Sequence, residues 1–300
     1  MGNDKSVLLS VVIANFNYGR FLECALRSIF NQCGEPERRL GGIVLPVKGK
    51  NYFVEVIVCD AGSADNSVEI IERYQDEISW WCSEKDGGQS AAFNKGFAHS
   101  HGEWLTWLNA DDMYFSGTFR KLAEVVRRNP SAEWITGNDL HFDNNTKEVL
   151  FVAWGPHVIP PFFRKNRAQM YPFGPTTFWK RSAYERIGPI DETLHYQMDL
   201  DYWARLTMAG IRQFRLNHTC WAFRHHEVAK STGGRNPEAG WRENKYWKEK
   251  TRYAYQNSFK NPWYILWLFF RVLDGSMFVR FWKRWRLIGR KFDEDVCIVR

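Results

Sequence analysis

Short β-branched or aromatic runs alternate with stretches of helical periodicity along the first third of the chain. Val7–Ile13 (Val-Leu-Leu-Ser-Val-Val-Ile) predicts a buried strand closed by the polar turn Ala14-Asn15-Phe16-Asn17-Tyr18-Gly19. Leu22, Ala25, Leu26, Ile29 and Phe30 then recur on one face of a helix. Cys33–Tyr52 breaks the rhythm with four Gly and two Pro, and reads as an exposed insertion. Phe53–Cys59 predicts a second strand, ending in Asp60-Ala61-Gly62-Ser63-Ala64-Asp65-Asn66. Asn66 followed by Glu69 predicts a capping box, opening a helix through Val68, Ile71 and Tyr74. Ile78–Ser83 is a third strand, Glu84–Gln89 a Gly-rich loop, Ser90–His99 a helix, and Trp104–Leu108 the most apolar strand of all. Strands and helices in this alternation predict an α/β fold with a mostly parallel sheet, whose strand ends line one crevice.

The second half is less regular. Ser116 is placed to cap a helix through Arg128, with Phe119, Leu122, Val125 and Val126 facing inward, and Trp134–Gly137 predicts a strand. Glu148–Phe163 is Pro-rich and without a clear period, and Ala183–Ile187 predicts a short helix. Asp199 and Asp201 stand at the mouth of a helix whose inner face is Leu200, Trp203, Ala204 and Leu206. Pro262–Arg290 mixes Trp and Phe with Lys and Arg, a composition suited to amphipathic helices.

Three strand ends therefore bring acids and amides toward one crevice: Asn15–Asn17, Asp60, and Asn109-Ala110-Asp111-Asp112. Such a crevice is the expected nucleotide pocket. Asn109, Asp111 and Asp112 offer hard oxygens suited to Mg²⁺ or Mn²⁺, which one or two carboxylates and substrate phosphates commonly hold; the same residues also suit a turn that caps a helix. Asp199 in a first helical turn is stabilised as a carboxylate by the helix dipole, as a general base requires, and it equally suits simple capping. Glu103 and Asp139 read as solvated or capping acids, and Lys95 as a residue of a solvated face.

At 300 residues the chain can bury a large core. Six scattered Cys and a short polar stretch, Met1–Ser6, lead to the expectation of reduced thiols, no signal peptide and a cytoplasmic protein. No run reaches the roughly 20 apolar residues that span a bilayer. Net charge is +7, but seven basic residues against one acid in 262–291 carry +6 of it, leaving about +1 for the rest. The main domain thus lacks the basic stripe of a nucleic-acid binder. The tail's aromatic-basic composition predicts peripheral contact with the inner face of a membrane, with packing on the core or on a second subunit as the alternative.

Taken in order, seven motifs resemble glycosyltransferase family 2, the inverting, nucleotide-sugar-dependent enzymes of GT-A (Rossmann-like) fold. They are Ser-Val-Val-Ile-Ala-Asn-Phe-Asn (10–17), Val-Ile-Val-Cys-Asp-Ala-Gly-Ser-Ala-Asp (56–65), Ser-Glu-Lys-Asp-Gly-Gly-Gln-Ser (83–90) and Ala-Phe-Asn-Lys-Gly-Phe (92–97). Trp-Leu-Asn-Ala-Asp-Asp (107–112), Pro-Thr-Thr-Phe-Trp-Lys-Arg (175–181) and Met-Asp-Leu-Asp-Tyr-Trp-Ala-Arg-Leu (198–206) complete the set. The resemblance implies a mostly parallel sheet flanked by helices in 1–235, divided into a nucleotide half (1–115) and an acceptor half (116–235), with 236–300 as a helical tail. It implies transfer of a sugar from a nucleotide diphosphate-sugar, a UDP-sugar first among them, to a hydroxyl of a glycan or lipid-linked acceptor in cell-surface polysaccharide synthesis. By the same resemblance Ala14, Asn17, Asp60, Asp86, Gln89, Asn109, Ala110 and Asp111 bind the nucleotide-sugar, and Asp111, Asp112 and His226 hold Mg²⁺ or Mn²⁺. Asp199, with Asp201 as its alternate, takes the acceptor proton. Two positions depart from the family pattern: Asn109 stands where Asp is usual, and Ala61 replaces the second acid after the second strand. A nucleotidyltransferase and a non-catalytic nucleotide-sugar-binding module are the competing readings, and homo-oligomerisation is left open.

Overall fold

The β-branched run near the N-terminus forms β1 (Val7–Asn15), and its position fixes the layout of everything around it. The computed structural model describes residues 7–32, 37–153, 176–230, 243, 245 and 262–299. β1 lies between β4 (Lys50–Asp60) and β6 (Trp104–Asn109), parallel to both, and nearly all of its side chains are buried. A strand covered on both faces has no use for alternation, which is why these segments read as continuous apolar runs. The register sets Asn15 opposite Asp60 and Ala14 opposite Asn109, so the three strand ends stand side by side.

Eleven strands join in one mixed sheet. β2 (Glu37–Arg39) and β3 (Gly42–Val47) add antiparallel to the lower half of β4, and β5 (Trp80–Ser83) adds parallel to its upper half. Beyond β6 the order continues through β10 (Thr177–Lys180), β8 (Trp134–Asp143), β11 (Gln213–His225) and β7 (Met113–Tyr114), with β9 (Val149–Ala153) on the edge of β8. β10 runs antiparallel to both of its neighbours, so the parallel character belongs to β5, β4, β1 and β6 and to the β8–β11 pair.

The expectation of an exposed insertion at Cys33–Tyr52 is wrong. Ile43, Leu45, Val47 and Tyr52 are buried in the core. Lys48 and Gly49, both at positive φ (50° and 78°), form the tight two-residue turn whose twist suits a hairpin. The glycines that look like breakers are the hinge of a sheet extension.

Helices cover both faces. α1 (Gly19–Phe30), α2 (Ser67–Arg73) and α4 (Thr118–Arg128) pack on one side, with Leu22, Leu26, Ile71, Phe119 and Leu122 in one cluster. The predicted capping box at Asn66 makes no side-chain cap bond; Asp65 does the work, accepting from the Ser67 backbone N–H at 3.0 Å and from Gly19 N–H at 2.8 Å. Nor does Ser116 cap α4, which is preceded by Gly117 in the left-handed region.

α3 (Gln89–Ala98), α5 (Arg181–Ile187) and α6 (Met198–Met208) cover the other face. There the surplus of tryptophan is absorbed: the Trp107 ring stacks on Trp203 at 5.0 Å and meets Trp179 edge-on at 5.0 Å, with Phe93 stacked beneath it at 5.3 Å. Gly96 lets α3 approach β1 this closely, since a Cβ there would meet Val12 Cγ1 at 2.2 Å. The aromatic block holds α6, and therefore Asp199, at the end of β6. α7 (Pro262–Leu273), α8 (Ser276–Leu287) and the hairpin β12 (Phe292–Asp293) and β13 (Ile298–Val299) close the chain. Phe292 and Cys297 are buried with Leu140, Phe142 and Val149. Among the described residues no helix is long and apolar enough to cross a membrane.

Candidate active site

The loops at the carboxyl ends of β1, β4 and β6 meet the start of α3 and the segment that follows β11. Asp60, at the end of β4, is 1% exposed and serves as a hub. Its carboxylate accepts from Asn15 Nδ2 at 2.6 Å, Ser63 Oγ at 2.5 Å, Ser63 N–H at 2.9 Å and Ser83 Oγ at 2.5 Å. Charge-assisted bonds of this kind are about twice as strong as neutral ones, so three loops are tied to one acid. Asn17, at φ 55°, ties the same turn from outside: its N–H donates to Ser63 Oγ at 2.8 Å and its Oδ1 accepts from Ala64 N–H at 2.9 Å. Asn15 Oδ1 is buried and has no hydrogen-bond partner among the described residues. A buried acceptor left unpaired is costly, and a ligand N–H would satisfy it. From sequence, Asn15 falls at this strand end without a role; the resemblance singles out Ala14 and Asn17 instead.

The Asp86 carboxylate accepts from Gly88 N–H at 2.8 Å and thereby shapes the entry to α3. Gln89, in the first turn, donates from Nε2 to Asn109 Oδ1 at 2.7 Å and accepts on Oε1 from Lys230 Nζ at 3.2 Å. Asn109 in turn donates from Nδ2 to Asp112 Oδ2 at 2.9 Å. An Asp at position 109 would put a second acceptor against Asp112, whereas the amide bridges Gln89 and Asp112.

The adjacent acids part company. Asp112 is 1% exposed, and its other oxygen accepts from Arg224 N–H at 3.1 Å. Burial, then the negative charge of Asp111, pushes its carboxyl well above the usual range. Asp111 instead faces His226: Oδ2 lies 3.1 Å from Nε2. Arg20 Nη2 approaches His226 Nδ1 at 3.5 Å, which favours the tautomer with the proton on Nε2, donating to Asp111. Phe21 and Tyr18 pack around the imidazole at 4.5 and 5.7 Å. The Tyr18 hydroxyl is pushed up to about 12 by burial and by the field of Asp111 and Asp112. That field, gathered at one turn, is what a divalent ion seeks, although among the described residues no three His, Cys, Asp or Glu converge into a ready-made cage.

Under this turn runs a strut that the sequence did not announce. Arg224 is 2% exposed; its Nε donates to the Asp111 carbonyl at 2.9 Å and its Nη1 to Asn144 Oδ1 at 2.9 Å. Nη1 also pairs with Glu294 of the C-terminal segment, and Phe21 and Phe142 flank the guanidinium at 4.7 and 5.1 Å. Glu294→Ala would leave that cation buried without its carboxylate. We expect a stability loss toward the lower end of the roughly 3–5 kcal/mol typical of broken buried pairs, because Glu294 keeps 20% side-chain exposure. Urea unfolding of the two chains measures it.

On the opposite wall, Asp199 is partly buried at the start of α6, and its Oδ1 accepts from Leu200 N–H at 2.7 Å. Burial pushes its carboxyl up, and hydrogen bonds from the backbone N–H groups of Leu200 and of Asp199 itself, then the Lys230 cation, pull it part of the way back. Asp201, two residues on, is turned away: it is 4% exposed and paired with Arg205 at 2.8 Å. Glu243 caps the approach to the helix, its carboxylate accepting the backbone N–H groups of His195, Tyr196 and Gln197 at 3.0, 2.6 and 2.6 Å. Lys230 joins the two walls, donating to Gln89 Oε1 and to the His195 carbonyl, with burial lowering its affinity for a proton.

Asp139, read from sequence as a solvated or capping acid, is instead 4% exposed inside β8 and bonded to His141 at 2.9 Å. Glu103 (58% side-chain exposure) and Lys95 do stay at the surface, paired with Lys180 and Glu84. Most of the Pro-rich stretch Glu148–Phe163 lies outside the described residues, which stop at 153 and resume at 176.

The family described as Glycosyl transferase family 2 matches residues 10–188, which include the β1, β4 and β6 strand ends and the start of α3. The chain belongs to glycosyltransferase family 2. An uncharacterised glycosyltransferase of Nostoc sp. is 26% identical over 192 residues, 61% of this chain and 54% of its own length. Glycosyltransferase GlyG of Streptococcus pneumoniae is 26% identical over 153 residues, 50% of this chain and 45% of its own. The family 2 chain thus spans about half the length of these relatives. Among solved structures, S. aureus TarS 1–349 in complex with UDP-GlcNAc superposes with a TM-score of 0.58 at 14% identity, over 81% of this chain and 66% of that one. The mannosyltransferase PcManGT of Pyrobaculum calidifontis, in complex with GDP-Man and Mn²⁺, gives 0.51 at 18% identity, over 80% and 61%. These likenesses establish a fold shared with TarS and PcManGT: a mixed α/β sheet flanked by helices.

Proposed function

We propose that this family 2 chain transfers a sugar from a nucleotide diphosphate-sugar to an acceptor hydroxyl, with inversion at the anomeric carbon. What carries the proposal is that strand register stands Asn15 and Asp60 beside Asn109, which opens the Asp111 turn, while Gln89 and Lys230 bridge from Asn109 to the His195 carbonyl at the approach to Asp199. In this reading the free Asn15 Oδ1 takes an N–H of the base, with Asp60 holding Asn15 in place. An imide or lactam N–H, as in uracil or guanine, suits that acceptor, and TarS and PcManGT bind UDP-GlcNAc and GDP-Man respectively.

Asp111 is the residue suited to hold Mg²⁺ or Mn²⁺ together with the donor's phosphates, an arrangement common for ions that keep much of their water. His226 orients that carboxylate, and Asp112, its oxygens engaged with Asn109 and Arg224, supports the turn. A bound ion supplies neutralisation of the charge that develops on the leaving diphosphate. Asp199 takes the proton of the acceptor hydroxyl as its oxygen bonds to the anomeric carbon, while the bond from that carbon to the diphosphate oxygen breaks on the opposite face. Asp201 is left to hold Arg205.

Lys230 then stabilises the Asp199 carboxylate across the crevice. In Lys230→Met, loss of that cation should move the acid limb of the kcat/KM profile to higher pH, because the base is harder to ionise; a pH series from acid to neutral reads this. The reading as a whole is tested by calorimetry with UDP- and GDP-sugars, with and without Mn²⁺. Ion-dependent binding of at least one of them is expected, and binding to none would overturn the proposal.

A further inference from the structure

The C-terminal helices leave an apolar face uncovered. In α8, Phe278, Phe281, Trp282 and Trp285 recur at i, i+3, i+4 and i+7 and are 64%, 65%, 48% and 83% exposed. The opposite side of the same helix is anchored: Val279 and Leu287 pack on the cluster of Leu140, Phe142, Val149 and Phe292. Arg280 and Arg284 sit over the Phe151 ring at 5.9 and 5.3 Å. α7 continues the outward face with Ile265, Phe269 and Leu273, which are 50%, 59% and 69% exposed. Buried aromatic side chains account for roughly 150–250 Å² each. The four α8 rings alone therefore offer on the order of 500 Å² to water, as much as the largest patch on a typical monomer.

The rim of this face decides what covers it. Lys283 and Arg286 stand over the Trp282 ring at 5.3 and 4.9 Å, and Arg290 is exposed beyond the helix. The single acid of 262–291, Asp274, is occupied in capping Ser276 N–H at 2.9 Å. A second copy of this chain docked face to face would set one cationic rim against another. An anionic lipid surface complements both features: the rings enter the boundary between headgroups and acyl chains, and the cations meet lipid phosphates. Each helix has 12 residues, far short of a span, so both lie in the plane of the surface.

We propose that α7 and α8 dock this protein on an anionic bilayer through the Phe278–Trp285 stripe and its basic rim. The docking face is independent of the donor site in its chemistry, yet the chain runs directly from α8 to Glu294, which holds Arg224 under the Asp111 turn.

The test is co-sedimentation of the full chain with phosphatidylcholine vesicles, with and without phosphatidylglycerol. Binding to the anionic vesicles alone, weakened by salt, is expected. Trp282→Ser/Trp285→Ser and Lys283→Glu/Arg286→Glu should each reduce it at least about tenfold. The parent melting temperature and donor-nucleotide affinity, kept in both variants, show that the fold and the donor site are intact. Failure of the parent chain to sediment with anionic vesicles, or equal sedimentation of parent and variants, overturns the proposal. So does light scattering that finds a dimer dissolved by the Trp282/Trp285 variant, which would assign the face to a second copy.

Discussion

Purified Asp199→Asn is expected to bind a nucleoside diphosphate as tightly as the parent chain while turning over roughly 10²–10⁴-fold more slowly. The substitution keeps the shape and an acceptor for Leu200 N–H, so the start of α6 should hold. What it removes is the carboxylate proposed to take the acceptor's proton, since Asp201 is committed to Arg205 and Glu243 to the backbone before the helix. Comparing kcat with donor affinity separates this from a binding defect, and full activity in the variant would exclude Asp199 as the base. A second consequence follows from linkage. Burial raises the Asp199 carboxyl in the folded chain above its unfolded value, so the folded state holds this proton more tightly. The contribution of the group to stability is therefore fully present below its unfolded pKa and lost as pH rises through the raised folded value. Asp199→Asn removes the penalty: the variant should melt higher than the parent at neutral pH and match it in acid. An opposite or absent pH dependence would contradict the buried placement of this carboxyl.

Asp111→Ala should abolish the dependence of donor binding on Mg²⁺ or Mn²⁺ and lower kcat/KM by about 10²–10³-fold, the usual effect of removing one electrostatic stabiliser from a reacting centre. Calorimetry with and without the ion, on parent and variant, measures it. Asp112→Asn should behave differently. Asp112 is buried, its carboxyl already raised toward the neutral form by burial and by Asp111. An amide in its place retains the acceptor for Arg224 N–H, so ion-dependent binding should survive. If instead Asp112→Asn lost ion dependence and Asp111→Ala kept it, the two adjacent acids would have to exchange roles.

The strands that carry the site were legible because their polar tips interrupt apolar runs abruptly, and three such interruptions within about 100 residues point to one edge of a sheet. The β2–β3–β4 extension was not, since Gly41, Gly42, Pro46 and Gly49 look like breakers; Gly41 and Gly49 fall in its two turns, while Gly42 and Pro46 pair with Glu55 and Asn51 inside β3. The cap at α2 was misplaced by one residue, from Asp65 to Asn66, because a motif cannot report which of two neighbouring side chains bends back to the backbone. Lys230 was not singled out in the sequence, because its contact reaches Gln89, 141 positions earlier in the chain.

By itself the sequence determined the alternation of strands and helices, the family, the acids on offer and the uneven placement of charge, all of which depend on local periodicity and residue type. Only the tertiary structure decided that Asp111 faces His226 while Asp112 turns inward, that Asn15 keeps an unpaired acceptor beside Asp60, and that Glu294 supports the turn through Arg224. Those outcomes depend on side-chain direction at a single turn and on contacts between residues 45 to 115 positions apart. No local pattern encodes such pairings; they exist once the sheet has set its register and the aromatic block has locked α6 in place.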